Sequence, residues 1–236
     1  FQINYTKEYV INQKDLNLFF KKKPKILFLP NPNQPIENTI KNKDLIELAK
    51  KCSKIKCFLV VDEAYFHFGS KTAMPLVKKF KNVIVLRTFS KAFGVPSIRA
   101  GYTVSNTENM SIISKARIAH ELSSVSIAIA EYLLDNYSIV KRNCNLIKKS
   151  RETTKSALGK LGLYCRSEFG NYILIKFESH SDAKKVVNYL RKRFIYVKGP
   201  YGKPWQNYIN ISLGPAKLMK RFLKEIKAAK EKKLFN

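Results

Sequence analysis

Three short runs of almost continuous branched and aliphatic residues constrain this chain more than any other feature. They are KILFLPNP at 25–32, CFLVVDEAY at 57–65 and NVIVLRTFSK at 82–91. Each is too short for a buried helix, and each ends abruptly in polar or acidic residues. Uninterrupted Val, Ile and Leu strands separated by helical segments are the pattern of a parallel sheet covered on both faces. The segment 43–51 carries Leu45, Leu48 and Ala49 at helical spacing, which supplies one such cover. The expected architecture is therefore α/β. In sheets of this kind ligands sit beyond the carboxyl ends of the strands. Residues 31–34, 62–65 and 88–91 all fall there.

The texture changes along the chain. From Ser111 to Leu161 breakers are few and apolar residues recur every three or four positions, so long helices are expected. After Gly162 come NYILIKF (171–177), a helix from Ser181 to about Arg193, FIYVKG (194–199), YINISLG (208–214) and a basic helix from Pro215, which read as a small α+β unit. The expected division is a large, partial domain over 1–140, then an interdomain helix and small domain over 141–236. With 236 residues, 45% of them apolar, the chain is long enough to bury a core.

Several function classes are set aside on composition. No apolar run approaches the roughly 18 residues of a membrane span, and no signal peptide is visible, so the expected location is the cytoplasm. Cys52, Cys57, Cys144 and Cys165 form no CxxC pair and have no histidine at zinc-ligand spacing, so no metal site is expected. The formal net charge of +28 would attract polyanions. Its lysines, however, are spread from end to end; KFKN, KKCSK and KEKK read as solvated faces, and no nucleic-acid recognition pattern accompanies them. No specific nucleic-acid partner is expected. The chain opens on Phe1 rather than Met, and further sequence is expected upstream.

The third strand end holds the chemistry. In RTFSKAFGVPSIRAGY (87–102), Lys91 follows a strand expected to be buried, flanked by Thr88 and Ser90, while Arg99 is expected on the next strand, SIRAGYTVS. Alone, Lys91 reads as a surface lysine opening a helix. Hydroxyls together with a planar cation suit a dianionic phosphate, each charge-assisted hydrogen bond contributing roughly 1.5–3 kcal/mol. A phosphate cup beside a nucleophilic lysine implies a phosphorylated aldehyde. Asp62, at the neighbouring strand end, would need a cationic partner if buried, and a pyridinium nitrogen would serve. Together these requirements describe pyridoxal phosphate.

VVDEAY followed by RTFSKAFGVPSIRAGY resembles the aspartate and lysine motifs of fold-type I pyridoxal-phosphate enzymes, specifically the histidinol-phosphate aminotransferase group. NPNQP (31–35) resembles that group's asparagine loop, and the C-terminal third its small domain, so the likeness covers nearly the whole chain. It implies a fold-type I transferase with a mostly parallel large-domain sheet and a small α+β C-terminal domain. Lys91 would bear the cofactor as a Schiff base and shuttle protons, and Asp62 would keep the ring nitrogen protonated. Tyr65 would bond the phenolic oxygen, although an aromatic packed under the sheet edge accounts for it nearly as well. Ala64 would lie against the ring face, Thr88, Ser90 and Arg99 would bind the phosphate, and Asn33 or Gln34 would reach the ring oxygen. Asn171, Lys198 and Asn210 would face the substrate. The resemblance further implies a homodimeric aminotransferase that acts on a small phosphorylated amine or amino acid and takes a small-molecule amino donor and acceptor; a decarboxylase of a phosphorylated amino acid and a catalytically silent polyanion binder are the alternatives.

Departures from the family pattern are specific. The usual NPNNPTG reads NPNQPIE here, so Gln34, Ile36 and Glu37 replace Asn, Thr and Gly. On the strand usually written LRITVG, Asn210 stands where an arginine clamps a carboxylate, and an amide brings hydrogen bonds but no charge. Lys198 stands for a second arginine and meets phosphate as a point charge.

Overall fold

A computed structural model describes residues 1–116 and 122–235. They divide into two compact units, one of residues 1–34 with 38–141, the other of 35–37 with 142–236.

In the first unit, the three apolar runs form β1 (Ile26–Pro30), β2 (Phe58–Asp62) and β3 (Val83–Thr88), all parallel. β4 (Gly101–Val104) returns antiparallel to β3, giving the order β1-β2-β3-β4 among the described residues. Register places Pro30 beside Asp62, and Asp62 beside Leu86, so the three parallel strands deliver their carboxyl ends to one edge. Helices α1 (Gln13–Lys21), α2 (Asn42–Lys54) and α3 (Met74–Val77) belong to this unit, as do α4 (Thr107–Lys115) and α5 (Ser124–Asp135). α2 buries Leu45, Leu48, Ala49 and Cys52, the i, i+3, i+4, i+7 stripe of an amphipathic helix, against Leu27, Leu29, Val61, Val83 and Val85. Each such side chain withdrawn from water contributes about 1.5–3 kcal/mol.

Two expectations are corrected here. β1 is not buried on both faces: Leu27 and Leu29 point into the core, whereas Ile26 and Phe28 remain 56% and 54% exposed. A strand's side chains alternate between faces, and only the α1–α2 side of β1 is packed among the described residues. Arg99 is not on a strand either. It follows a short 3-10 turn, Pro96–Ile98, at φ 52°, and β4 begins two residues later.

α6 (Tyr137–Lys160) starts in the first unit and continues into the second. Of the helical run expected over 111–161, residues 117–121 lie outside the described residues. The second unit contains β5 (Tyr164–Arg166), β6 (Tyr172–Lys176) and β7 (Tyr208–Ser212), antiparallel in the order β5-β6-β7, with α7 (His180–Arg191) and α8 (Ala216–Glu231). Ile173, Ile175 and Ile209 pack on Val186 and Leu190 of α7 and Ile226 of α8. FIYVKG is not a strand. Phe194 turns out of α7 at φ 57°, Phe194 and Tyr196 face solvent, and only Lys198 bridges to Asn210. β5 takes the place beside β6 instead, a three-residue strand too short to stand out in the sequence.

Among the described residues no helix is long and apolar enough to cross a membrane, and no group of three His, Cys, Asp or Glu side chains could hold a metal ion.

Candidate active site

The edge formed by the ends of β2 and β3 is assembled by local chain geometry. Asp62 closes β2 and folds back so that its Oδ1 accepts the Ala64 N–H at 3.0 Å. Burial pushes the Asp62 carboxyl above its ordinary range; the Ala64 N–H and the charge of Lys91 pull it partly back. Lys91 Nζ lies 5.6 Å from the centre of the Tyr65 ring. Tyr65 itself is buried, its ring 6.4 Å from that of Phe68.

Lys91 does not open a helix. It begins a tight turn in which Gly94 N–H donates to the Lys91 carbonyl at 3.1 Å, after Thr88 Oγ1 has accepted the Ser90 N–H at 3.0 Å. The Thr88 hydroxyl thus shapes the backbone that presents Lys91, and it reaches the Ala100 carbonyl at 3.4 Å. Phe89 N–H also donates to Ala100 at 3.1 Å, pinning the turn to the approach to β4. Arg99 is exposed, with Nη1 donating to the Pro96 carbonyl at 2.9 Å.

The asparagine loop joins the same edge through its backbone. Asn31 N–H donates to the Asp62 carbonyl at 2.8 Å, and Asn31 Oδ1 accepts Ile40 N–H at 2.8 Å. Asn33 N–H donates to the Asn38 carbonyl at 2.9 Å, while Gln34 is exposed. In the first unit Asp62, Tyr65, Ala64, Thr88, Ser90 and Lys91 therefore cluster about two adjacent strand ends, with Arg99 exposed on the turn beyond.

In the second unit, Asn210 and Lys198 exchange both backbone hydrogen bonds, at 2.8 and 2.9 Å. Asn210 is buried, the residue 4% exposed, and its Nδ2 has no hydrogen-bond partner among the described residues. Lys198 is exposed. The Asn171 carbonyl accepts Leu213 N–H at 2.7 Å, tying the start of β6 to the end of β7.

Two groups escaped sequence reasoning. Glu63, wholly buried, accepts from Arg87 Nε at 3.0 Å and from Thr72 Oγ1, and Arg87 stacks 3.9 Å from the centre of the Phe66 ring. The signal was present: opposite charges immediately after Asp62 and before Thr88, at neighbouring strand ends. His67 is the second, with Nδ1 2.7 Å from the Tyr137 hydroxyl and its ring against Phe93. Nothing in YFHF foretold that pairing.

A parallel-stranded sheet that gathers a half-buried acid, a primary amine and hydroxyls at one edge, followed in the chain by an antiparallel unit, defines a fold-type I transferase architecture. The family model for aminotransferases of class I and II matches residues 2–226, and the chain belongs to that family. It is 35% identical over 205 residues to a histidinol-phosphate aminotransferase of Caldanaerobacter subterraneus subsp. tengcongensis, covering 85% of this chain and 57% of that relative. With the histidinol-phosphate aminotransferase of Thermoanaerobacter pseudethanolicus it shares 37% identity over 179 residues, 75% of this chain and 49% of the relative. The crystal structure of histidinol-phosphate aminotransferase from Sinorhizobium meliloti in complex with pyridoxal-5'-phosphate superposes with a TM-score of 0.86 at 24% identity, covering 97% of this chain and 64% of that one. The chain thus spans about half the length of the curated relatives it matches.

Proposed function

We propose that this chain supplies the lysine-bearing part of a pyridoxal-phosphate-dependent aminotransferase of the histidinol-phosphate type, acting on a small phosphorylated amine. The observation that carries the reading is the placing of a half-buried acid, Asp62, and the amine of Lys91 at adjacent strand ends, the lysine charge acting on the acid, with Tyr65 alongside. Family membership and the names of the 35% and 37% identical relatives support the same reaction.

The donor set suits the cofactor. An acid whose carboxyl is held up by burial gains from an adjacent ring cation. An amine on a tight turn is presented rather than folded away. Bound there, pyridoxal phosphate would supply an electron-withdrawing ring that stabilises negative charge on the substrate carbon. Asp62 would hold a proton on the ring nitrogen. Lys91 would hold the aldehyde covalently and, once displaced by substrate, carry a proton at Nζ. Tyr65 would donate to the ring oxygen, with Asn33 or Gln34 as a second contact, and Ala64 would leave room for the ring face. Thr88, Ser90 and Arg99 would take the phosphate. Toward the substrate, Lys198 would meet a distal phosphate as a point charge, while Asn171 and Asn210 would offer amide hydrogen bonds. The same reading makes the protein a cytoplasmic homodimer that exchanges an amino group between small molecules.

The test uses the full-length chain. Added pyridoxal phosphate should produce a visible absorbance band, borohydride should fix the label on the peptide containing Lys91, and an amino donor should convert the band to that of the amine form. A band retained in Lys91→Ala would refute the assignment. Carbon dioxide released from phosphoserine or phosphothreonine would instead mark a decarboxylase. Steeply salt-dependent heparin binding with no cofactor uptake would mark a polyanion binder.

A further inference from the structure

Glu37 occupies a place its side chain makes costly. Its φ of 54° lies in the left-handed region, and its carboxyl is buried, the residue only 3% exposed. A chain that keeps a large acid there needs a reason, and the contacts give one. Three consecutive amides converge on the carboxylate: Glu168 N–H on Oε2 at 2.5 Å, Phe169 N–H on Oε1 at 2.8 Å and Gly170 N–H on Oε1 at 2.5 Å. Successive N–H groups of a turn make an anion-binding concavity, and here the anion is a side chain of the same protein.

The carbonyls of that turn are held by the opposite charge. Arg151, also buried, donates from Nη1 to the Glu168 carbonyl and from Nη2 to the Gly170 carbonyl at 2.6 Å, and its charge acts on Glu37. Arg166 Nε adds a bond to the Ile36 carbonyl at 3.2 Å. Gly170 has no room to vary, because a Cβ there would lie 2.2 Å from the Tyr172 ring. Residues 168–170 are thus gripped through amides and carbonyls alike, and the next residue is Asn171. In the other direction, Glu37 ends the loop that carries Asn33 and Gln34.

We infer that Glu37 is a positioning residue: its carboxylate fastens residues 35–37 to the turn preceding Asn171, so that these two segments are ordered together. The roles of Asn33, Gln34 and Asn171 rest on the function proposed above; the coupling of the segments rests on the contacts alone.

The experiment is peptide-level hydrogen exchange on the full-length chain, with and without pyridoxal phosphate, comparing wild type, Glu37→Gln and Glu37→Gly. Ile173→Val serves as a control that weakens the core without touching the turn. A neutral amide cannot accept all three N–H groups, so exchange in peptides covering 167–171 should rise about tenfold in Glu37→Gln, with peptides covering 31–37 rising alongside. The control should move neither. The Kd for pyridoxal phosphate should weaken several-fold in the Glu37 variants and not in the control. Glu37→Gly relieves the left-handed backbone, so it remains informative should Glu37→Gln fail to fold. Faster exchange at 167–171 with 31–37 unchanged would overturn the inference, as would an unchanged turn. Coupled exchange in a wild-type chain that takes up no cofactor would overturn the proposed function and leave the coupling standing.

Discussion

Glu63 and Arg87 form a closed ion pair between the ends of two parallel strands, with Arg87 Nη2 2.8 Å from Glu63 Oε2. Asp62 directly precedes one partner and Thr88 directly follows the other, so the pair sets the spacing of the edge on which Lys91 is presented. Thr72 Oγ1 and Ala73 N–H complete the shell of the carboxylate at 2.9 and 2.5 Å. An ion pair this enclosed is worth keeping only when nearly every polar atom is satisfied.

Removing one partner leaves the other charge buried. Arg87→Met should lower unfolding free energy by about 3–5 kcal/mol in urea titrations. The double change Glu63→Gln with Arg87→Met should recover part of that loss. Equal losses in the single and double variants would show that the charge itself is not what matters.

Lys91→Arg preserves a cation but cannot act as a neutral amine, since guanidinium stays protonated. Borohydride labelling should vanish and turnover fall by about a hundredfold or more, with the melting temperature of the cofactor-free chain unchanged. In Asp62→Asn the remaining oxygen can still accept the Ala64 N–H, so the fold should hold while turnover drops. Isothermal denaturation beside steady-state rates separates the two effects.

His67 makes stability pH-dependent in a defined direction. Burial, aided by the charge of Arg87, pushes its pKa down to about 4 from 6.5. Between those values the unfolded chain binds a proton that the folded chain refuses, so this residue's contribution to stability falls as pH drops through the window. Asp62 and Glu37, both raised by burial, act with the opposite sign. The difference between wild type and His67→Gln isolates the effect: wild type should lose stability relative to the variant from pH 6.5 toward 4.

Gly101 opens β4 where its neighbour is closest. A Cβ there would stand 2.7 Å from the Arg87 carbonyl oxygen. Gly101→Ala should cost about 1–3 kcal/mol by forcing β3 and β4 apart. Thermal unfolding would read it, and faster amide exchange at Thr88 would locate it.

The sequence by itself determined the parts of this protein that depend on neighbours in the chain. Continuous Val, Ile and Leu runs favour strands with at least one buried face, so β1, β2 and β3 were legible, as was the α2 stripe of Leu45, Leu48 and Ala49. Lys91 and Asp62 stood out because each ends such a run. What only the tertiary structure decided were relations across the chain. FIYVKG looks as strand-like as YINISLG, yet Phe194 leaves α7 in a left-handed turn and the segment meets β7 only at Lys198. Arg99 looked like a strand residue and instead lies on the turn before β4. Glu37 read simply as a departure from a glycine, because its three amide partners lie 131 to 133 residues away. A buried charge finds its partner through the packing of distant segments, and no local pattern of residues encodes which segment that will be.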